Sequence, residues 1–300
     1  MSPVATFTLR LATWAVPMIL ITYVLWGVME PTSVDEHYAK LSATSELNGL
    51  LVGSSRMSQG VVPSRAFAGS QHDKRVLNFA FTNQTSPYGE VYNQAILDRS
   101  SEMSDAMFVL EINPWIFARD KHESEPRERG RILDGLVQIQ GHPNMDYAVR
   151  KMSRQWYEAA LGPEHPLYVE EDGWLHVELD WSKMDMDSCR IEKLKRYQKL
   201  KGHYALDSVR LSAFFGLVDS LKMRGKVVGL ELPVSRAMAE LEAEVFPEFE
   251  SWVQKIAADL RVVRLRDSLH YETHDGNHLL PASARALSDW LANSGALYPN

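Results

Sequence analysis

Cysteine is almost missing. Cys189 is the single one among 300 residues, so an internal disulfide is excluded. Cys189 itself reads as a packing residue. An oxidising compartment stays open, because a core of this size needs no staples. The ten histidines are scattered, and no Cys/His cluster has zinc spacing. Neither a metal nor a cofactor is therefore expected. Basic charge is also short: 32 basic against 39 acidic residues give a net charge of −7. That excludes a general nucleic-acid binder, which would be basic. Internal repeats are lacking too. What remains is a chain with 45% hydrophobic residues, enough for one large domain, or one domain plus insertions.

Charge is absent altogether from Leu11 to Val28. At about 1.5 Å per helical residue this run is roughly 27 Å long, enough for a bilayer core. Pro17 is tolerable in a membrane helix, and Trp14, Tyr23 and Trp26 suit interfacial anchoring. Arg10 precedes the run, and Glu30, Asp35 and Glu36 follow it. The expectation is a single-pass anchor in the cytoplasmic membrane, N-terminus inside and the remaining chain outside. A cleaved signal peptide is the competing reading, but Gly27-Val28-Met29-Glu30-Pro31 offers no good cleavage site. A buried core helix fits less well, since the run is apolar all round. Residues 1–30 are thus read as anchor, 31–47 as spacer and 48–300 as the folded domain.

Within that domain, short apolar runs alternate with helical patterns. Strands are expected at Gly49–Val52, Val76–Phe81, Met107–Ile112, Val227–Leu232 and Val262–Leu265. Helices are expected over Tyr88–Met103, from Asp207 to Met223, over Ser235–Leu260 with a break at Pro247, and from Pro281 through Leu291. This alternation predicts a doubly wound, mainly parallel sheet in three layers. From about 115 to 205 the rhythm breaks. Lys121 to Arg131 is dense in charge, Tyr147–Leu161 looks helical, and Tyr168–Trp181 alternates around Asp172-Gly173, a hairpin signal. An insertion of about 90 residues is too long for a structureless loop, so it is read as a lid or subdomain over the site. Its stretch Ser188–Lys201 carries Arg190, Lys193, Lys195, Arg196, Lys199 and Lys201. Ile191, Leu194, Tyr197 and Leu200 would line one helical face. The plain reading is a solvated helix held by that stripe. The sharper one is a contact with anionic lipid, acidic glycan or a membrane partner.

The candidate chemistry sits at strand ends, where open α/β sheets bind ligands. Gly53-Ser54-Ser55 closes the first strand and offers a nucleophile. Asn113, at the end of the third, offers a side-chain amide. Asp275 and His278, in Asp-Gly-Asn-His, offer an orienting acid and a base. Ser54 is the alternative nucleophile if the turn shifts by one residue. Glu111 lies two before Asn113 and would face the same side of its strand. Arg56 stands beside Ser55. Both are possible substrate-binding groups; for Glu111 a pairing with an arginine is equally readable, and for Arg56 a structural ion pair is the commoner case.

On these residues the chain resembles the SGNH (GDSL-like) hydrolase family. Gly53-Ser54-Ser55 is similar to its Gly-Asp-Ser block, Asn113 to its oxyanion asparagine, and Asp275 and His278 to its terminal Asp-x-x-His block. There are two departures. Ala80 stands where the family has an oxyanion-hole glycine, and Pro114 where Gly-x-Asn-Asp has its aspartate. The resemblance covers about 48–114 and 226–292. It implies Ser55 as nucleophile, His278 as base, Asp275 as orienter, and Asn113 with the Ala80 N–H as oxyanion donors. Gly-Ser-Ser with an N-terminal anchor is similar to the DltD-like and alginate-acetylation-like branch. That branch implies an extracytoplasmic acyltransferase acting on a cell-surface glycan or envelope polymer, beside a membrane-bound O-acyltransferase. A carbohydrate esterase, or an idle scaffold that binds glycan or a membrane partner, are the alternatives.

Overall fold

The computed structural model describes residues 2–28, 40, 46–122, 167–177, 180–266 and 270–298. Most of the spacer, most of Lys121–Arg131 and the helix expected over Tyr147–Leu161 lie outside the described residues.

Helix α1 (Pro3–Val28) begins earlier than the uncharged run and passes through Pro17 unbroken. Ser2 starts it by accepting the Ala5 N–H (3.2 Å). Thr8 and Thr13 return their hydroxyls to carbonyls four residues back, at 2.9 and 2.6 Å, which suits an apolar surrounding. Pro3–Ile21 has a mean hydropathy of 1.7 and none of it is buried. The helix is long and apolar enough to be a membrane span or a signal sequence.

The domain opens with β1 (Gly49–Val52), then two short helices, α2 (Ser55–Gly60) and α3 (Pro63–Ala66). β2 (Val76–Asn78) stops short of the predicted Phe81. Asn78 turns its side-chain amide into the α2 end, donating to the carbonyls of Met57 (2.9 Å) and Val61 (3.0 Å). The chain beyond it becomes the loop beside the candidate site. α4 (Glu90–Arg99) is shorter than the predicted Tyr88–Met103, because Tyr88 is drawn into the core and donates to the Glu111 carbonyl (2.9 Å). β3 (Ala106–Glu111) follows. β4 (Ala118–Asp120), the hairpin β5 (Leu167–Val169) and β6 (Leu175–Val177), α5 (Met186–Gln198) and β7 (Tyr204–Leu206) belong to the insertion. The alternation resumes with α6 (Ser208–Lys222), capped by Asp207, and β8 (Gly225–Glu231). α7 (Arg236–Val245) and α8 (Phe249–Asp259) are separated around Pro247, as its missing N–H requires. β9 (Val262–Arg264) and α9 (Pro281–Ser294) complete the domain.

The central sheet has five strands in the order β2-β1-β3-β8-β9, all parallel. Side chains alternate across it with period two. Leu50, Val52, Phe108 and Leu110 face a core shared with α4, α6 and α8. Leu51, Met107 and Val109 face a second core shared with α2 and α9. Both faces are covered, so the strands read as continuous apolar runs. Each fully buried leucine contributes about 1.5–3 kcal/mol. The order reverses at β1, and the crevice at the carboxyl ends of β1 and β3 is where such sheets take ligands.

The insertion's hairpin forms around Asp172-Gly173 as expected and docks on α2 and β2: Trp174 donates its indole N–H to the Gln59 carbonyl (2.9 Å), and the Asn78 N–H donates to the Asp172 carbonyl (2.8 Å). In α5 the apolar stripe is only partly used. Leu194, Tyr197 and Leu200 pack against the cores, whereas Ile191 is 53% exposed.

Candidate active site

The site begins where β1 stops. A side chain on Gly53 would place its Cβ 2.4 Å from Glu111 Oε2, so only glycine fits the turn. The Gly53 N–H donates to Tyr92 Oη (3.0 Å), and Ser86 Oγ donates to the Gly53 carbonyl (2.7 Å). Ser54 is the N-cap of α2 and Ser55 its first residue. First-turn N–H groups have no acceptor inside their helix.

Ser55 Oγ lies 2.8 Å from His278 Nε2. His278 Nδ1 lies 2.9 Å from Asp275 Oδ2. The other Asp275 oxygen accepts the N–H groups of Asn277 (2.9 Å) and His278 (2.8 Å), which folds the carboxylate back over its own loop. That loop turns at Gly276, whose φ of +83° favours glycine. Its carbonyl accepts the Ser235 N–H (2.9 Å), tying it to the start of α7. Asn277 Nδ2 also approaches His278 Nε2 (3.2 Å). Two donors at Nε2 and a carboxylate at Nδ1 assign the proton of neutral His278 to Nδ1. A serine, an Nε2 acceptor and an acid at Nδ1 form the proton relay that serine nucleophiles need.

Burial lowers the pKa of His278, and Lys193 and Arg56 add to the lowering against the opposing pull of Asp275. The imidazole is therefore held neutral, as a base must be. For Asp275 burial acts upward, but the charge that His278 takes on at acid pH, its hydrogen bond and the Lys193 ammonium outweigh it and hold the carboxyl well below its usual range. His274 stacks on His278, with ring centroids 5.7 Å apart, and Trp181 of the insertion packs on His274 at 5.0 Å.

Asn113 caps a short turn by accepting the N–H groups of Trp115 (2.9 Å) and Ile116 (3.2 Å). Its amide donates to Glu111 Oε1 at 2.5 Å and, at a longer 3.3 Å, to Ser54 Oγ. Glu111 also accepts the Ser54 N–H (2.6 Å) and hydroxyl (3.1 Å). Burial raises its pKa, opposed by Arg56, Ser54 and Asn113.

Three open readings narrow here and one expectation changes. Ser54 is committed to Glu111 and Asn113, so it is Ser55 that meets His278. Glu111 touches the site but is fully buried; it holds the serine turn and is closed to a substrate. Arg56 is also buried, with its guanidinium held by protein partners. It donates to Asn277 Oδ1 (3.0 Å) and pairs with Glu242, whose carboxylate also accepts the Trp115 indole N–H (2.8 Å). The Ala80 N–H donates to Asn78 Oδ1 (3.2 Å), and the Ala80 carbonyl accepts from Lys40. The expected second oxyanion donor is thus already engaged; the Asn113 amide, itself bound to Glu111, reaches Ser54, the neighbour of the nucleophile.

Sequence reasoning missed Lys193 of α5, whose Nζ lies 3.0 Å from Asp275 Oδ2. It also missed Asn277 and Glu242, the two partners of Arg56. The basic stretch was visible, but its target lies 82 residues further along the chain (275 − 193). His274, Asp275 and His278 bring three metal-ligand atoms within 4.8 Å of one another. The Lys193 ammonium and the Ser55 hydroxyl already occupy that set, which fits a proton relay better than a cation.

No family model and no curated protein matches the chain. Among solved structures, one from Streptococcus pneumonia, described provisionally as a platelet activating factor, is similar at 12% identity. It aligns over 98% of this chain and 99% of that one with a TM-score of 0.38. A second aligns at 8% identity over 83% and 97%, with a TM-score of 0.35. Superpositions this loose carry no functional inference.

Proposed function

We propose that this protein is a membrane-anchored serine acyltransferase of the SGNH type, working outside the cytoplasm on a cell-surface polysaccharide or envelope polymer. One observation supports it above the others: the unbroken chain from Ser55 Oγ to His278 to Asp275, at 2.8 and 2.9 Å. Ser55 attacks the carbonyl carbon of the acyl donor as His278 Nε2 takes its proton. The negative charge that develops on the carbonyl oxygen is met by the Ser55 N–H and by the Asn113 amide, which releases its long contact to Ser54. Collapse expels the donor's leaving group with the proton from His278 and leaves an ester on Ser55. A polymer hydroxyl then attacks that ester, His278 takes its proton, and Ser55 recovers it as the acylated polymer departs.

An esterase would run the same two halves with the polymer ester as donor and water as acceptor. The resemblance favours transfer and suggests a membrane-bound O-acyltransferase as the source of acyl groups. The length and apolarity of α1, which suit a membrane span, favour a substrate at the membrane surface.

The test is covalent labelling of the full chain in detergent with a fluorophosphonate probe. Ser55 should carry the label, and Ser55→Ala or His278→Ala should lose it; label on another residue would end this reading. In cells, the Ser55→Ala variant should lower the acyl content of the surface polymer. A rise would select the esterase.

A further inference from the structure

We propose that Asp120, His122 and His203 bind one divalent transition-metal ion of the zinc type, and that this ion staples the two ends of the insertion. The inference is independent of the reaction at Ser55. β4 carries the chain out into the insertion and β7 brings it back, with Asp120 paired to Tyr204 at the end of the ladder. One step beyond, the Lys121 N–H donates to the His203 carbonyl (2.8 Å), so the two chains are still locked together. Both turn there, and the rings of His122 and His203 meet with centroids 5.3 Å apart at 66°. Asp120 Oδ1 accepts the His122 N–H (2.9 Å), which holds the carboxylate beside the histidine. One ligand atom from each residue lies within 4.8 Å of the other two.

Tetrahedral bonds of about 2.0–2.1 Å set ligand atoms roughly 3.3 Å apart. Both histidines are exposed and Asp120 is half-buried, so small side-chain rotations close the difference without moving the ladder. Two imidazoles and one carboxylate suit zinc and its neighbours, whereas magnesium and calcium want oxygen alone. Water would take the fourth position. The ligands flank a segment of roughly 80 residues, and a clip across a segment of that length restricts the unfolded chain substantially. No sequence spacing reveals the set, because His203 is remote from the other two along the chain.

The test uses the untagged full chain in detergent, stripped with chelator and given Zn²⁺ alone. Equilibrium dialysis should find one ion per chain, and the ion should raise the unfolding temperature. His122→Ala and His203→Ala should each weaken binding at least tenfold and erase the thermal shift. Asp120→Asn should weaken it less. The two histidines are exposed and Asp120→Asn keeps the shape of a half-buried side chain, so circular dichroism should show the parent fold. Absence of bound Zn²⁺ in the parent would overturn the proposal. So would a His122→Ala/His203→Ala double variant that binds Zn²⁺ as tightly as the parent.

Discussion

Lys193 Nζ and His278 Nδ1 share one oxygen, Asp275 Oδ2, at 3.0 and 2.9 Å. Lys193 belongs to the insertion, so α5 sets the electrostatics of the proposed base. The charged and titratable groups facing His278 are Asp275 from its own loop, His274 stacked on it, Lys193 from α5 and Arg56 from α2. Burial and the two cations push its pKa down, and Asp275 pushes it up. Neutral His278 is the active form, so the acid limb of kcat/KM should lie below the ordinary histidine range. Lys193→Met removes one lowering charge and should move that limb to higher pH; Lys193→Arg should move it back. Rates on p-nitrophenyl acetate across pH read this, and the His278 ring resonances by NMR read it without turnover. An unmoved His278 titration in Lys193→Met would disprove the coupling.

Asn113 has two duties, which changes what its removal should do. Asn113→Ala loses an oxyanion donor, for a slowing of about 10²–10³ in acyl transfer. It also loses the cap on the Pro114–Ile116 turn and a donor to buried Glu111, a destabilisation of about 1–3 kcal/mol. Burst kinetics on an activated ester and urea unfolding of the same sample should show both effects. Full turnover would remove Asn113 from the oxyanion site, and unchanged stability would remove its capping role.

His274 carries a stability prediction with a definite pH window. Burial, helped by His278 and Lys193 and opposed by Asp275, lowers its pKa from 6.5 to about 4. Between those values the unfolded chain binds a proton that the folded chain refuses. Stability therefore falls as pH drops from 6.5 to about 4 and gains no further loss from this residue below that. The window corresponds to at most about 3–4 kcal/mol, at roughly 1.4 kcal/mol per unit. His274→Phe keeps the stack with Trp181 and should flatten that part of the curve of unfolding temperature against pH. A curve as steep as the parent's would assign the acid sensitivity elsewhere.

The nucleophile turn, the Asp-x-x-His loop and the five strands were legible because each is written in a few adjacent residues. Gly53 ends an apolar run, Gly276 turns a loop, and Pro247 breaks a helix, all through local sterics. The partners of these residues were not legible. Arg56 was readable as a member of an ion pair, but its acceptors, Glu242 and Asn277, stand too far along the chain to be named from sequence. Ala80 reads as an oxyanion donor from the resemblance alone, whereas Asn78, two residues back, takes its N–H in a local Asx-type turn. Alternation marked Glu111 as facing the Asn113 side, but only packing decides that it is buried beneath Gly53 rather than open to a ligand.

That buried carboxylate supports the last prediction. Glu111 accepts three hydrogen bonds with two oxygens: the Ser54 N–H at Oε2, and the Ser54 hydroxyl and the Asn113 amide at Oε1. Glutamine has the same shape but one acceptor oxygen. In either orientation its NH₂ group must face a donor, the Ser54 N–H or the Asn113 amide, and leave it unpaired. Glu111→Gln should therefore destabilise by about 1–3 kcal/mol through the unmatched donor alone. Because the same oxygens hold the turn that presents Ser55, the fluorophosphonate labelling rate should fall as well. Glu111→Asp keeps both acceptors on a shorter stem. It should retain more of the labelling rate than Glu111→Gln, even where its packing loss makes it no more stable. Urea unfolding and labelling rates of the two variants, measured side by side, separate acceptor count from packing. If Glu111→Gln labels as fast as the parent and unfolds with it, the carboxylate does not hold the serine turn.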